Sequence, residues 1–230
     1  KMIWLASVMP GGRTFMQHIM DAGRDKRNRI PVSSGFAEDV EWWLQRIKQF
    51  AISGSPIIEV GKPIRVASLK ADASGHIGYG YVFNGKAHFA RWVPERRQHR
   101  DMVAKELVSL VSMAEQYGDC CRNKLIRYGC DNSSTCYSIN RGASRDPDTM
   151  MLLRRLARAQ LKYNFIVIGI HVGRAFNNLS DVLTRFISLS ELEQAAEAEG
   201  AIVEQASLNK SGWRLDRSWT EDEFVVNMLQ

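Results

Sequence analysis

The hydrophobic and polar positions divide the chain into a helical opening, a strand-rich middle and a mixed tail. Phe36, Val40, Trp43, Leu44, Ile47 and Phe50 recur at helical spacing, with Glu38, Asp39, Glu41 and Lys48 between them. This predicts an amphipathic helix whose Trp42 and Trp43 pack inward. Pro10-Gly11-Gly12 interrupts any earlier helix, Gly23 to Arg29 is a basic loop, and Ser53-Gly54-Ser55-Pro56 reads as a linker. From Ile64 the pattern changes to strands, with Arg65 to Leu69 leading into Asp72. Asn84-Gly85 joins Tyr79–Phe83 to Lys86–Trp92, a strong hairpin signal. A three-stranded antiparallel meander follows, its first strand carrying Asp72 at the far end.

Val103, Leu107, Leu110, Val111, Ala114 and Tyr117 make the apolar stripe of a helix from about Asp101 to Tyr117. Glu106 sits within that stripe, where a carboxylate is costly unless a positive charge compensates it. Leu125–Cys130 reads as a strand that ends directly at Asp131-Asn132. A helix capped by Asp148 should follow, and then a strand, Phe165–Ile170, buried on both faces. Strand, helix and strand in this order predict a parallel crossover, with Asp131 at the carboxyl end where sites gather. After the loop from His171 to Asn178, a short helix should hold Asp181 in its first turn. A further helix, Glu191–Glu199, opens the tail, whose end from Gly212 onward shows no chemistry.

Composition narrows the function classes. The 230 residues are 45% hydrophobic and 24% charged, ordinary values for a globular protein with a sizeable core. A net charge of +6 and a pI near 9.3 suit a polyanionic partner as well as a protein that is merely basic. Cys120, Cys121, Cys130 and Cys136 form no C-x-x-C pair and the five histidines are scattered, which argues against a zinc site. No run approaches the roughly 18 apolar residues of a membrane helix. There is no signal peptide, so an intracellular setting is expected, with cytoplasm and nucleus not distinguishable. Lys1 in place of an initiator Met suggests a segment of a longer polypeptide.

Asp72, Glu106, Asp131 and Asp181 stand in the contexts Ala-Asp-Ala-Ser, Lys-Glu-Leu, Cys-Asp-Asn and Asn-Asn-Leu-Ser-Asp-Val-Leu-Thr-Arg. In that order they resemble the acids of the ribonuclease H domain of retroelement reverse transcriptases, DIRS-like and Gypsy-type retrotransposons above all. The family's last acid lies in a pattern like H-x-x-G-x-x-N-x-x-A-D-x-L-S-R; His171, Asn178, Asp181, Leu183 and Arg185 fill comparable places. Ile139 to Ser144 is similar to the segment after the third acid, and Asp39–Trp43 looks like the preceding thumb or connection region. The resemblance covers about Ile64 to Arg185, and no Tyr-x-Asp-Asp polymerase motif is present.

The resemblance implies an α/β fold: a ribonuclease H-like mixed sheet, antiparallel meander plus parallel strands, flanked by helices. It implies a helical preface over 1–60, the ribonuclease H-like domain over 61–187 and a C-terminal extension over 188–230, with both extensions helical. The implied activity is metal-dependent hydrolysis of the RNA strand of RNA/DNA hybrids during reverse transcription. The implied partner in the longer protein is the polymerase part of the reverse transcriptase; no membrane is involved. Two magnesium ions, replaceable by manganese, would be held by Asp72, Glu106, Asp131 and Asp181, with Asp72 bridging. Hard divalent cations prefer such oxygen ligands, and a pair of them suits phosphodiester hydrolysis. Ser74, Asn132 and the backbone at Gly75 are candidates for reading ribose hydroxyls; Arg141 and Arg145 could hold phosphates or be solvated surface. His171 is a structural histidine or an auxiliary to catalysis. Val103 stands where many relatives place a polar residue facing the hybrid. A catalytically silent binding or assembly module on the same fold is the alternative. A DDE-type transposase or integrase core is disfavoured, because its late helix carries Glu and its first helix needs no acid.

Overall fold

A computed structural model describes residues 2–9, 11–24, 32–53, 65–98, 101–173, 178–185, 188–198, 200–204 and 220–228. The expected meander is present as β1 (Arg65–Ala73), β2 (Gly78–Phe83) and β3 (Lys86–Trp92). Asn84 and Gly85 both take positive φ, 52° and 74°, the left-handed pair that a tight two-residue hairpin requires. β4 (Lys124–Cys130) and β5 (Ile166–His171) lie parallel to β1 and to each other. The strand order is β5-β4-β1-β2-β3, continued at the β3 edge by two strands of the tail, so β1 lies inside the sheet between β4 and β2, and its end carries Asp72, opposite Gly80. This is the mixed sheet flanked by helices, meander plus parallel strands, that the resemblance implies.

The helices sort onto the two faces by the apolar stripes they carry. α5 (Met102–Gln116) buries Leu107, Val108, Leu110, Val111 and Ala114 in the main core with Leu69, Ala71, Ala73, Ile126 and Tyr128. α7 (Pro147–Tyr163) extends the same core through Leu152, Leu153 and Leu156. On the other face α8 (Asn178–Arg185) and α9 (Leu189–Ala198) bury Leu179, Leu183, Leu192 and Ala196 against Ala87 and Phe89. Gly80 permits this: a Cβ there would stand 2.6 Å from Leu183 Cβ, so only glycine lets α8 approach β2 so closely.

The opening segment packs on α7. α1 (Met2–Val8), α2 (Gln17–Arg24) and α3 (Ser34–Ser53) surround a small core in which Trp42 stacks on Phe15 at 4.5 Å and Trp43 Nε1 donates to Phe15 O. Both tryptophans therefore pack inward, as expected. Asp39, fully buried, accepts from Arg154 Nη2 of α7 at 2.7 Å and from the His18 amide at 2.9 Å.

Three expectations change. Asp146, not Asp148, caps α7, accepting from the Thr149 amide, because Pro147 takes the first helical position. Asp148 instead pairs with Arg96 of the short α4 (Pro94–Arg97) at 2.9 Å. β5 is not buried on both faces: Val167 and Gly169 face α6 (Ser133–Arg141), while Ile168 and Ile170 are 41% and 38% exposed at the sheet edge. The helical tail holds for α9 alone; β6 (Ala201–Glu204) and β7 (Thr220–Met228) then pair antiparallel, and β7 adds to the edge of β3. An unpaired strand edge offers donors and acceptors that another strand satisfies. The linker at 54–56, most of the basic loop at 25–29 and the tail at 212–216 lie outside the described residues.

Candidate active site

Each acid is delivered by a different element. β1 carries Asp72 on the face opposite Ala71 and Ala73, toward α8. α5 carries Glu106 on the face pressed to the sheet, 2% exposed. Asp131 follows β4 directly, and Asp181 lies in the first turn of α8. Asp72, Glu106 and Asp131 line one cleft of about 730 Å³, with Ser74, Gly75, His76, Asn132 and Arg185. Asp181 is not among the lining residues, but its charge reaches Asp72.

Thr184 Oγ1 donates to Asp72 Oδ2 at 2.7 Å and lies 2.9 Å from the Asp181 carbonyl, so one hydroxyl ties α8 to β1. Arg185 Nε stands 2.9 Å from Asp181 Oδ1, an ion pair one helical turn apart. Burial pushes the Asp72 carboxyl above the usual range; the Thr184 bond works against this, and the charges of Asp131 and Asp181 add to it. Burial raises Glu106 well above that range too, with Asp72 and Asp131 reinforcing it. The Ala73 backbone and the Cys130 side chain beside it work against this rise. Glu106 Oε2 is nevertheless buried with no hydrogen-bond partner. A buried orphan carboxylate oxygen among mutually repelling acids is what a hard cation would satisfy. The donor set therefore fits divalent metal.

The predicted substrate residues divide. Ser74 Oγ accepts from the amides of Ile77 and Gly78, at 2.8 and 2.9 Å, so it shapes the loop after β1. Gly75 presents its carbonyl to Lys105 Nζ, a buried ammonium that also donates to Arg97 O at 3.1 Å. Asn132 caps α6, accepting from the amides of Ser134 and Thr135. His171 Nε2 donates to the Asp131 carbonyl at 3.1 Å, fixing the backbone of an acid rather than facing the cleft. Val103 is partly buried against the core and offers no polar contact.

Arg141 and Arg145 stand away from the acids, across α6. They line a separate groove of about 1160 Å³ together with Arg13, Arg24, Trp4 and Tyr137. Among the described residues none of those lining it is acidic, and Trp4 and Tyr137 are 70% and 62% exposed. Sequence reading missed this groove because its walls come from the preface and from α6, far apart in the chain. It also missed Thr184, Lys105 and Cys130, although Thr184 sits one turn after Asp181, the spacing that turns both toward one neighbour.

No family model matches the chain, and no curated protein does so either. Among solved structures, the N-terminal RNase H domain of a Mycobacterium tuberculosis protein, solved as a fusion with maltose-binding protein, is 15% identical; the match covers 51% of this chain and 95% of that one, with a TM-score of 0.37. An RNase H1 in complex with an RNA/DNA hybrid is 12% identical over 51% of this chain and 91% of its own, with a TM-score of 0.36. RNase H1 from Halobacterium salinarum is 14% identical over 53% and 94%, also at 0.36. These are what the chain is similar to, over about half its length.

Proposed function

We propose that this chain hydrolyses the RNA strand of RNA/DNA hybrids with two bound divalent cations, as the ribonuclease H part of a retrotransposon reverse transcriptase. The observation that carries this is the meeting of Asp72, Glu106 and Asp131, from three separate elements, in one cleft at the end of β1, with the helix of Asp181 bonded to Asp72 through Thr184. Magnesium, or manganese in its place, would be held by Asp72 between the two positions, by Glu106 and Asp131 on one side and by Asp181 on the other. When bound, such a pair activates water and neutralises charge on the phosphate and leaving oxygen.

The chain's own residues prepare that site. Thr184 fixes the Asp72 carboxylate, His171 fixes the backbone of Asp131, and Ser74 holds the loop that forms one lip of the cleft. Arg185 lines the cleft while pairing with Asp181, so it holds that carboxylate until a stronger cation competes. α6 has nine residues, about 13 Å of helix, and runs from the cleft at Asn132 to the arginine groove at Arg141. The groove suits the phosphates of the hybrid's far strand, with Arg141 and Arg145 as phosphate ligands and Trp4 and Tyr137 as stacking surfaces. We assign the hydrolytic domain to 61–187 on this basis, with the preface supplying one wall of the groove.

The test is cleavage of a labelled RNA/DNA hybrid, duplex DNA and duplex RNA in magnesium or manganese, with Asp131→Asn as control. The hybrid's RNA strand alone should be cut, and the variant should be inactive. A hybrid that is bound yet intact in both metals would establish a silent binding module instead. Cutting or joining of duplex DNA would favour a transposase.

A further inference from the structure

We propose that Glu106, Cys130 and Asp131 form a second kind of metal site, for one thiophilic divalent cation of the zinc class. One ligand atom from each residue lies within 4.8 Å of the other two. Cys130 and Asp131 are successive residues, and within a strand they would point to opposite faces. They reach one point because β4 ends at Cys130 and the chain turns into the Asn132 cap of α6. α5 brings Glu106 beneath that turn. The third donor comes from a distant helix, so no sequence spacing joins the three.

Two observations point to a cation there. Glu106 is 2% exposed and its Oε2 has no partner, so one of the three donors holds a buried, unsatisfied acceptor. The Cys130 thiol is fully buried at the edge of the core, within 4.8 Å of a carboxylate oxygen of each acid, and accepts from the Asn132 amide at 3.3 Å. Magnesium and calcium take oxygen donors, whereas a thiolate beside carboxylates selects zinc or cadmium. Zinc bonds to sulfur at about 2.3 Å and to carboxylate oxygen at about 2.0–2.2 Å, so the three donors would draw in around the ion. Three protein donors leave the fourth tetrahedral position to water. On binding, the S–H bond breaks, sulfur donates the electron pair to the cation and the proton goes to solvent.

Because Glu106 and Asp131 are also assigned to magnesium, the soft cation would displace the hard one and stop hydrolysis. Only this consequence rests on the proposed function; the site itself rests on the donors. Cadmium is the probe, since its bond to a thiolate gives an ultraviolet charge-transfer band. The reduced full chain, free of magnesium, should develop that band with one equivalent of cadmium. Cys130→Ser should abolish the band, Cys136→Ser and Cys120→Ser should keep it, and Glu106→Gln should weaken affinity at least tenfold. X-ray absorption of the zinc-loaded wild-type chain should show one sulfur per zinc, a readout that does not depend on any variant folding. No band at one equivalent, a band that survives Cys130→Ser, or zinc surrounded by oxygen and nitrogen alone would each overturn the proposal. Cleavage of the hybrid in magnesium is scored separately. A Cys130-dependent band without cleavage keeps this site and removes the hydrolytic reading; cleavage without the band does the reverse.

Discussion

The Thr184 hydroxyl donates to Asp72 Oδ2 at 2.7 Å, joining the helix of the last acid to the strand of the first. A hydrogen bond to a charged group contributes about 1.5–3 kcal/mol. Thr184→Val keeps the shape and removes the donor, leaving the Asp72 carboxylate free to rotate. Single-turnover cleavage of an RNA/DNA hybrid at saturating magnesium should fall about tenfold or more, and Thr184→Ser should restore most of it. Unchanged cleavage in Thr184→Val would mean that another group orients Asp72.

The raised carboxyls of Asp72 and Glu106 set a pH dependence. A group whose folded pKa exceeds its unfolded value binds more protons when folded, so it favours folding at low pH. That contribution diminishes as pH rises through the ordinary carboxylate range near 4 and is gone above the raised folded values. The metal-free chain should therefore lose stability as pH increases through this window. Glu106→Gln should flatten the loss, and magnesium should raise the melting temperature of the wild type more than that of the variant. Thermal melts across pH, with and without magnesium, measure this; parallel curves for the two proteins would refute it.

Asp39 and Arg154 bind the preface to α7 through a buried ion pair at 2.7 Å. Removing one partner of a buried pair costs roughly 3–5 kcal/mol, since the other charge stays buried. Asp39→Ala should lower the urea midpoint accordingly, with hybrid cleavage by the folded fraction little changed. A loss under 1 kcal/mol, measured by urea unfolding, would show that the pair is effectively solvated.

The arginine groove should govern affinity rather than chemistry. Arg13→Ala with Arg145→Ala should raise the Kd for a hybrid and leave single-turnover cleavage at saturation unchanged. Each lost phosphate contact should reduce the slope of log affinity against log salt by about 0.9 for B-form DNA, and by a similar amount here. Fluorescence anisotropy over a range of salt reads both quantities. A slope equal to that of the wild type would place the nucleic acid elsewhere.

Much of the site was legible before any coordinates, because acids in apolar settings stand out. Asp72 closes an alternating strand, Asp131 closes another, and Glu106 interrupts an apolar stripe. Each position is costly without a reason. The hairpin was equally plain, since Asn84-Gly85 supplies the positive φ values its turn needs. β5 was misjudged because a run of β-branched residues reads alike whether a strand has neighbours on one side or two.

The sequence by itself determined the local elements and the identity of the acids: periodicity, turn chemistry and the cost of a misplaced charge act over a few residues. The tertiary structure alone decided which groups meet. Thr184 on Asp72, Cys130 beside Glu106, and Arg13 with Arg145 lining one groove all join segments far apart in the chain. Helix placement on the sheet fixes such meetings, and Gly80 shows how: one missing Cβ lets α8 settle where Thr184 reaches Asp72.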